Sequence, residues 1–277
     1  MNVYPRRFAI LSDVHANVVA LRAVLAELDE LGVAEIVVAG DLVGFGPNPE
    51  DVVDLLVERR ARLIRGNHEK DYVAVYGTPA MPASWATDPR LRAMMWSHEL
   101  LGAERRAFLA ALPDALWLDD STLVVHGSPR HVRDSVLAST HEDELERMYA
   151  DSASRLAFMG HTHRPVIRET ARRRLVNAGS VGFPLDGDPR ASFVLAEHES
   201  DASRTWQVQI RRVAYNLDQA TAAYDNGLRD IDAGFVELIV REMRTGHDYL
   251  GPWLRFSQGT PAEEYAVTLQ RYLAANR

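Results

Sequence analysis

The sequence contains no cysteine. Disulfides, thiolate nucleophiles and thiolate metal sites are excluded together, so any bound metal has to be held by His, Asp, Glu, Asn or Gln. Basic residues are in deficit: 31 Lys and Arg face 39 Asp and Glu, a formal net charge of −8. That argues against a general nucleic-acid binder, whose affinity rests on an excess of cationic side chains facing phosphate. Long apolar runs are missing. The best stretch, Ile36 to Phe45, is interrupted by Asp41 and falls short of the roughly 18 residues that a bilayer span needs. Arg6 and Arg7 precede only Phe8 to Leu11 before Ser12 and Asp13, too short an apolar stretch for a signal-peptide core. Repeats and low-complexity tracts are absent as well. What remains, 47% apolar and 25% charged residues over 277 positions, is ordinary globular material with enough chain for one large core or two modest ones. The expectation is a cytoplasmic protein without membrane or nucleic-acid partners.

Hydrophobic periodicity gives the organisation. Arg6 to Ser12 is a short apolar run, Ala16 to Leu31 carries helical spacing through Val18, Leu21, Val24, Leu25 and Leu28, and Glu35 to Gly40 is a β-branched run. Pro49 to Arg60 repeats the helical spacing and Arg62 to Arg65 is a third short strand. This rhythm predicts a parallel sheet covered by helices. Glu69 to Leu112 reads as a broken helical excursion over one edge, punctuated by Pro79, Pro82 and Pro89. After Pro113 short strands dominate, at Thr122 to Val125, Leu156 to Met159, Val166 to Arg168, Arg174 to Val176, Ser192 to Ala196 and Thr205 to Val213, with one helix near His141 to Asp151. That half is expected to form a β-rich sheet packed on the first. From Leu217 the chain is helical again. Thr260, Pro261 and Glu263 suggest a capping box opening a last helix, with Tyr265, Leu269, Tyr272 and Leu273 on one face. That face is expected to dock on the sandwich or on a second subunit. The division drawn is 1–243 for the main domain, including the excursion at 70–112, and 244–277 for the tail.

The chemistry lies where His and Asp fall. Five of the 10 histidines, His15, His68, His126, His161 and His163, directly follow strand-like runs, as do Asp13, Asp41 and Asn67. The carboxyl ends of parallel strands share one edge, where ligand sites gather, so residues 150 positions apart can converge. Three or four His with two Asp and an Asn form a nitrogen and oxygen set too rich for one metal. Two ions sharing a carboxylate fit the count. Any one of these segments alone reads as loop polarity, but five in series, each ending a strand, do not.

Asp13-x-His15, Gly40-Asp41-x-x-Gly44, Gly66-Asn67-His68-Glu69, His126 and Gly160-His161-x-His163 resemble the motif set of the calcineurin-like metallophosphoesterases. The resemblance covers roughly residues 6 to 215. Asn177 to Gly182, Gly187 to Ser192 and His126 to Arg130 are similar to the small bacterial and archaeal phosphodiesterase-like branch. It implies an α/β fold, a four-layer α/β/β/α sandwich of two mixed sheets. It also implies a dinuclear phosphoesterase that hydrolyses a phosphodiester or phosphomonoester by in-line attack of a metal-bridging hydroxide. Asp13, His15 and His163 would hold one ion, Asn67, His126 and His161 the other, with Asp41 bridging. The ions would be two divalent transition metals from among Mn, Fe, Zn, Co and Ni. His68 would stand above the phosphate, oriented by Asp41 or a nearby acid, as proton donor to the leaving group.

Weaker candidates are Arg130, for a phosphoryl oxygen or for a surface ion pair, Asn17, for the pocket or for capping the helix beside it, and His131, for substrate. Tyr72, Trp85 and Trp96 are candidates to wall the cleft or to pack in the core. His98, His141, His198 and His247 read as surface or helix residues. The rival from another class is a scaffold, as in the retromer subunit that keeps this fold after losing catalytic histidines. Protein phosphatase and dinucleoside-polyphosphate hydrolase are alternatives within enzymes. The excursion favours a walled cleft and a small phosphoester.

Overall fold

The computed structural model of the chain describes residues 7–198, 206–225 and 227–276. Arg6, Thr205 and Arg277, at the ends of predicted elements, and the side chain of His198 lie outside the described residues. The first half runs β1 (Arg7–Leu11), α1 (Val18–Glu30), β2 (Glu35–Ala39), α2 (Pro49–Glu58) and β3 (Arg62–Ile64). The excursion follows as a π-helical turn at Glu69–Val73, two short 3-10 turns, α3 (Arg92–Leu100) and α4 (Gly102–Ala110). Next come β4 (Ala115–Trp117), β5 (Thr122–Val125), α5 (Glu142–Met148), β6 (Leu156–Met159), β7 (Val166–Glu169), β8 (Arg174–Asn177), β9 (Ala191–His198) and β10 (Trp206–Val213). The chain closes with α6 (Leu217–Ala222), α7 (Leu228–Thr245), α8 (Leu250–Phe256) and α9 (Tyr265–Ala275).

The strands form two five-stranded mixed sheets, ordered β10-β9-β1-β2-β3 and β4-β5-β6-β8-β7. Strand alternation builds the layers. In β1, Phe8 and Ile10 face the second sheet while Ala9 and Leu11 face the helices; in β2, Val37 and Ala39 face inward while Ile36 and Val38 meet α1 and α2. Phe158 and Val176 answer from the second sheet, whose other face is covered by α5 through Leu145 and Met148. This is the expected four-layer α/β/β/α sandwich.

Three details differ from the sequence reading. The strands after Pro113 do not form one sheet: β9 pairs antiparallel with β1, and β10 with β9, so the last two complete the first sheet. Their near-continuous apolar run in β9 is buried on both faces, which periodicity alone cannot assign to a sheet. Strand β4 is unpredicted; it has three residues, two of them exposed, and pairs only with β5. The capping box is not made. Pro261 opens a 3-10 turn at Ala262–Glu264 with no side-chain cap, and α9 starts at Tyr265.

The last four helices and α3 share their own apolar cluster, including Phe235, Ile239, Trp253, Tyr265, Leu269 and Leu273. The division after 243 therefore falls within α7, and the tail continues that layer. Leu269 packs on α7 at Gly234, where a Cβ would lie 2.5 Å from its Cδ2. The apolar stripe of α9 is thus used within the chain.

Candidate metal centre

The loops that leave β1, β2, β3, β5 and β6 meet at one edge between the two sheets. Backbone hydrogen bonds zip them together: the amides of Asp13 and His15 donate to the carbonyls of Gly40 and Asp41 (both 3.1 Å), Gly160 N to His126 O (3.0 Å) and Gly182 N to Asp13 O (3.0 Å). Asp13, His15, Asp41, His161 and His163 all have positive φ, between 47° and 67°. Among the described residues only Ala16 and Arg60 are the other non-glycine cases. Such backbone costs about 1 to 3 kcal/mol per residue and persists where the surroundings over-determine it. The strain turns each side chain out of its strand toward one point. Gly40, at φ +87°, is required by close approach as well, since a Cβ there would lie 2.5 Å from Gly66 N.

One residue with a central part was quoted only within a motif. Glu69 is fully buried, and its carboxylate accepts from the amides of Gly66 (2.8 Å), Asp41 (2.9 Å) and Val43 (3.2 Å). It locks the β2 and β3 loops in register. Asp41 Oδ1 in turn accepts from His68 N at 2.8 Å, so Asp41 fixes the backbone of His68, while the ring nitrogen Nδ1 is buried without a partner.

All seven predicted donors converge. Ligand atoms of Asp13, His15 and His163 lie within 4.8 Å of one another, as do those of Asp41, His126 and His161. His15 Nε2 and His163 Nε2 are 3.1 Å apart, and Asp13 Oδ1 is 3.3 Å from the latter and 3.8 Å from the former. Asn67 Oδ1 and Asp41 Oδ2 are 3.1 and 3.3 Å from His126 Nε2. Asp41 Oδ2 is also 3.8 Å from His15 Nε2, so this carboxylate faces both groups. Two donors at about 2.1 Å from one ion and at right angles are about 3.0 Å apart, the spacing seen here. Asp13 Oδ1 is buried with no hydrogen bond of good geometry, although imidazole nitrogens ring it. A cation satisfies that arrangement. His126 and His163 present Nδ1 to the carbonyls of Ala39 (2.7 Å) and Phe183 (2.6 Å), so that Nδ1 is the donor and Nε2 is the nitrogen turned to the centre, with a lone pair to offer when the ring is neutral. The residues fit a metal centre. His15, Asp41 and His68 form a third group within the same 4.8 Å limit.

Protonation follows the same pairs. Burial opposes charge on Asp13 and Asp41, but the imidazoles of His163 and His126 hold both carboxyls below the ordinary range. Burial likewise opposes charge on His126, yet Asp41 pushes it up to about 10. His15 is driven down by burial and by neighbouring His68, and burial takes His161 down to about 4. The carboxylates of Asp13 and Asp41 and the imidazoles of His163 and His126 thus favour each other's charged forms, and a metal ion held by these groups would displace protons from the rings.

The weaker candidates separate. Asn17 caps α1, accepting from Ala20 N at 3.0 Å and donating to Gly182 O at 3.0 Å, so its whole amide is used structurally. Arg130 and His131 line a cleft beside His126, but the Arg130 guanidinium is held by Asp134 and Glu144. Tyr72 lines a second cleft with Asn67 and His68, the tilted Trp85 ring lies 5.4 Å from it, and Trp96 lines other clefts. His98 is on α3 but fully buried, with neither ring nitrogen partnered. His141 caps α5.

The family model for the calcineurin-like phosphoesterase superfamily domain matches residues 7–201. A metallophosphoesterase crystal structure from Sphaerobacter thermophilus is 31% identical with a TM-score of 0.69, covering 87% of this chain and 98% of that one. A hypothetical protein from Pyrococcus horikoshii is 21% identical with a TM-score of 0.70, over 84% and 97% of the two chains, and shares the fold. An uncharacterized protein of Methanocaldococcus jannaschii is 27% identical over 241 residues, 76% of this chain and 89% of that one. With the donor geometry and the sandwich described above, these matches establish that the chain belongs to the calcineurin-like phosphoesterase superfamily.

Proposed function

We propose that the protein is a dinuclear metal-dependent phosphoesterase acting on a small phosphomonoester or phosphodiester in the cytoplasm. The observation that carries this reading is the two neighbouring donor groups, Asp13 with His15 and His163 and Asp41 with His126 and His161, with Asp41 Oδ2 reaching to 3.8 Å from His15 Nε2 and Asp13 Oδ1 buried and unpaired between imidazole nitrogens. Asp13, His15 and His163 would hold one ion and Asn67, His126 and His161 the other. When bound, two divalent ions such as Mn, Fe, Co, Ni or Zn activate water near neutral pH and offset charge on phosphoryl oxygens. Glu69 and the backbone ties hold the donor loops, so the phosphoryl group meets a preset geometry. His68, half-buried at the mouth, delivers a proton to the leaving oxygen. In the free chain burial lowers its pKa despite Asp41 nearby, so the arriving phosphoester supplies the negative charge that favours its protonated form.

A specific observation favours a second role for His68, as a ligand: its membership of the third donor group with His15 and Asp41. His68→Ala separates the two. As proton donor, the variant keeps both metals, loses little on bis-para-nitrophenyl phosphate, whose leaving group needs no proton, and loses about 10² to 10⁴ in rate on an alkyl phosphoester. Equal losses on both substrates reject the proton donor, and loss of metal identifies a ligand. A scaffold role is rejected by any metal-dependent turnover that Asp13→Asn abolishes.

A further inference from the structure

The family match ends at residue 201, yet the cleft above His68 is closed by residues beyond it. Phe235 of α7 and Leu250 and Leu254 of α8 line this cavity together with Phe45, Tyr72 and Met94. It borders the metal centre, since Asn67 and His68 are among its lining residues. Tyr72 stands 5.5 Å from the His68 ring, and Phe45 stacks on His15 at 5.0 Å and 10°. The end of the chain thus supplies one wall of the site and the shared core the other. Glu242 of α7 holds that wall, accepting from the amides of Tyr249 (3.0 Å) and Leu250 (2.9 Å) at the start of α8.

Size and charge restrict what fits. The cavity is about 200 Å³; a cavity of about 150 Å³ with aliphatic walls is enough to take up benzene. One ring system therefore fits within it. Two guanidiniums reach the rim, but Arg90 is paired with Asp88 and with Ser257 O, and Arg133 is paired with Asp71 and lies over the Tyr72 ring. Their charge is already offset, so the cavity does not call for a second phosphate. Aromatic and aliphatic walls call for apolar surface.

We infer that this cavity binds the leaving alcohol of the substrate, and that the alcohol is a single aromatic or comparably compact apolar ring, selected by α7 and α8. The inference rests on the phosphoesterase reading and names its substrate class.

The test uses the full chain loaded with Mn²⁺ and two ligands that cannot be hydrolysed, phenylphosphonate and methylphosphonate, titrated calorimetrically. Phenylphosphonate is expected to bind ~30-fold more tightly, for roughly 80 Å² of additional apolar surface buried. Leu254 is 41% exposed, so a substitution there removes little buried packing. Leu254→Glu makes the wall polar and Leu254→Trp fills it; each should bring the phenyl-to-methyl ratio down to ~5 or less, with melting temperatures checked in parallel. Equal affinity for the two phosphonates, or a ratio unchanged in both variants, overturns the inference. Turnover of phenyl and methyl phosphate is measured alongside. If both are hydrolysed with no phenyl preference, the phosphoesterase reading survives and the ring subsite does not. If neither is bound or hydrolysed, both fall.

Discussion

Asp41→Asn is the sharpest perturbation of the centre, because one carboxylate faces both donor groups. Its Oδ2 lies 3.3 Å from His126 Nε2 and 3.8 Å from His15 Nε2, at a position 2% exposed. Asparagine keeps the shape and removes the charge. In the metal-free chain the loss is softened, since His126 owes its raised pKa to Asp41 and can shed its proton once the partner is gone. The apo variant should therefore lose less than the roughly 3 to 5 kcal/mol typical of breaking an obligately charged buried pair.

The metal-loaded comparison is larger. At a free metal concentration 100 times Kd, each site adds about 2.7 kcal/mol, so two sites raise wild-type stability by about 5 kcal/mol. With an unfolding entropy of about 2.1 cal/mol/K per residue, that is a rise of about 9 °C in Tm for a chain of this length. Asp41→Asn should lose most of that rise and fall from two bound ions to fewer than one. Asn67→Ala removes a donor 3.1 Å from His126 Nε2, on the His126 and His161 side of the centre, so it should lose one ion and about half of the rise. Elemental analysis after desalting, paired with calorimetric melting, reads both quantities. An Asp41→Asn protein that holds two ions and shows the full rise refutes the shared-carboxylate reasoning. So does Asn67→Ala losing both ions while Asp41→Asn loses one.

Other expectations concern the frame. Glu242 is 3% exposed and burial raises its carboxyl from 4.5 to about 7. The folded state then binds the extra proton between those values, so this group's stabilisation is complete below pH 4.5 and falls by about 3 kcal/mol as pH rises through 7. Glu242→Gln should flatten that part of the urea-denaturation profile, and an unchanged slope contradicts it. Arg60 follows α2 with φ +53°, its amide bonded to Val57 O at 2.9 Å. Arg60→Gly should therefore gain about 1 kcal/mol in the same assay, and a loss refutes the strain assignment. A chain ending at Gly259 removes the buried Tyr265, Leu269 and Leu273, worth about 5 to 8 kcal/mol as an upper bound. It should melt far lower, and an unchanged Tm shows that α9 does not stabilise the layer.

What the sequence made legible, and what it hid, divides along a physical line. Each donor sits within a few residues of a strand end, so strand periodicity and residue type together mark Asp13, Asp41, Asn67 and the histidines. The same rhythm points to two packed sheets, and the resemblance to the family supplies the four-layer order. Glu69 was visible as part of Gly66-Asn67-His68-Glu69, but its grip on the amides of Asp41 and Val43 depends on two loops meeting, which no local pattern encodes. The placement of β9 and β10 beside β1 is likewise a matter of long-range pairing. No local pattern in residues 250–256 points to the chemistry; α8 nevertheless lines the cleft over His68. The same contrast explains the backbone. Asp and His at positive φ violate local preference, and a sequence carries no mark of that violation. Five such residues at one edge cost several kcal/mol together on the scale of about 1 to 3 each, a cost that the tied loops hold in place. Local rules therefore fail most densely where the donors converge, as expected if the strain serves the centre and not the stability of the fold.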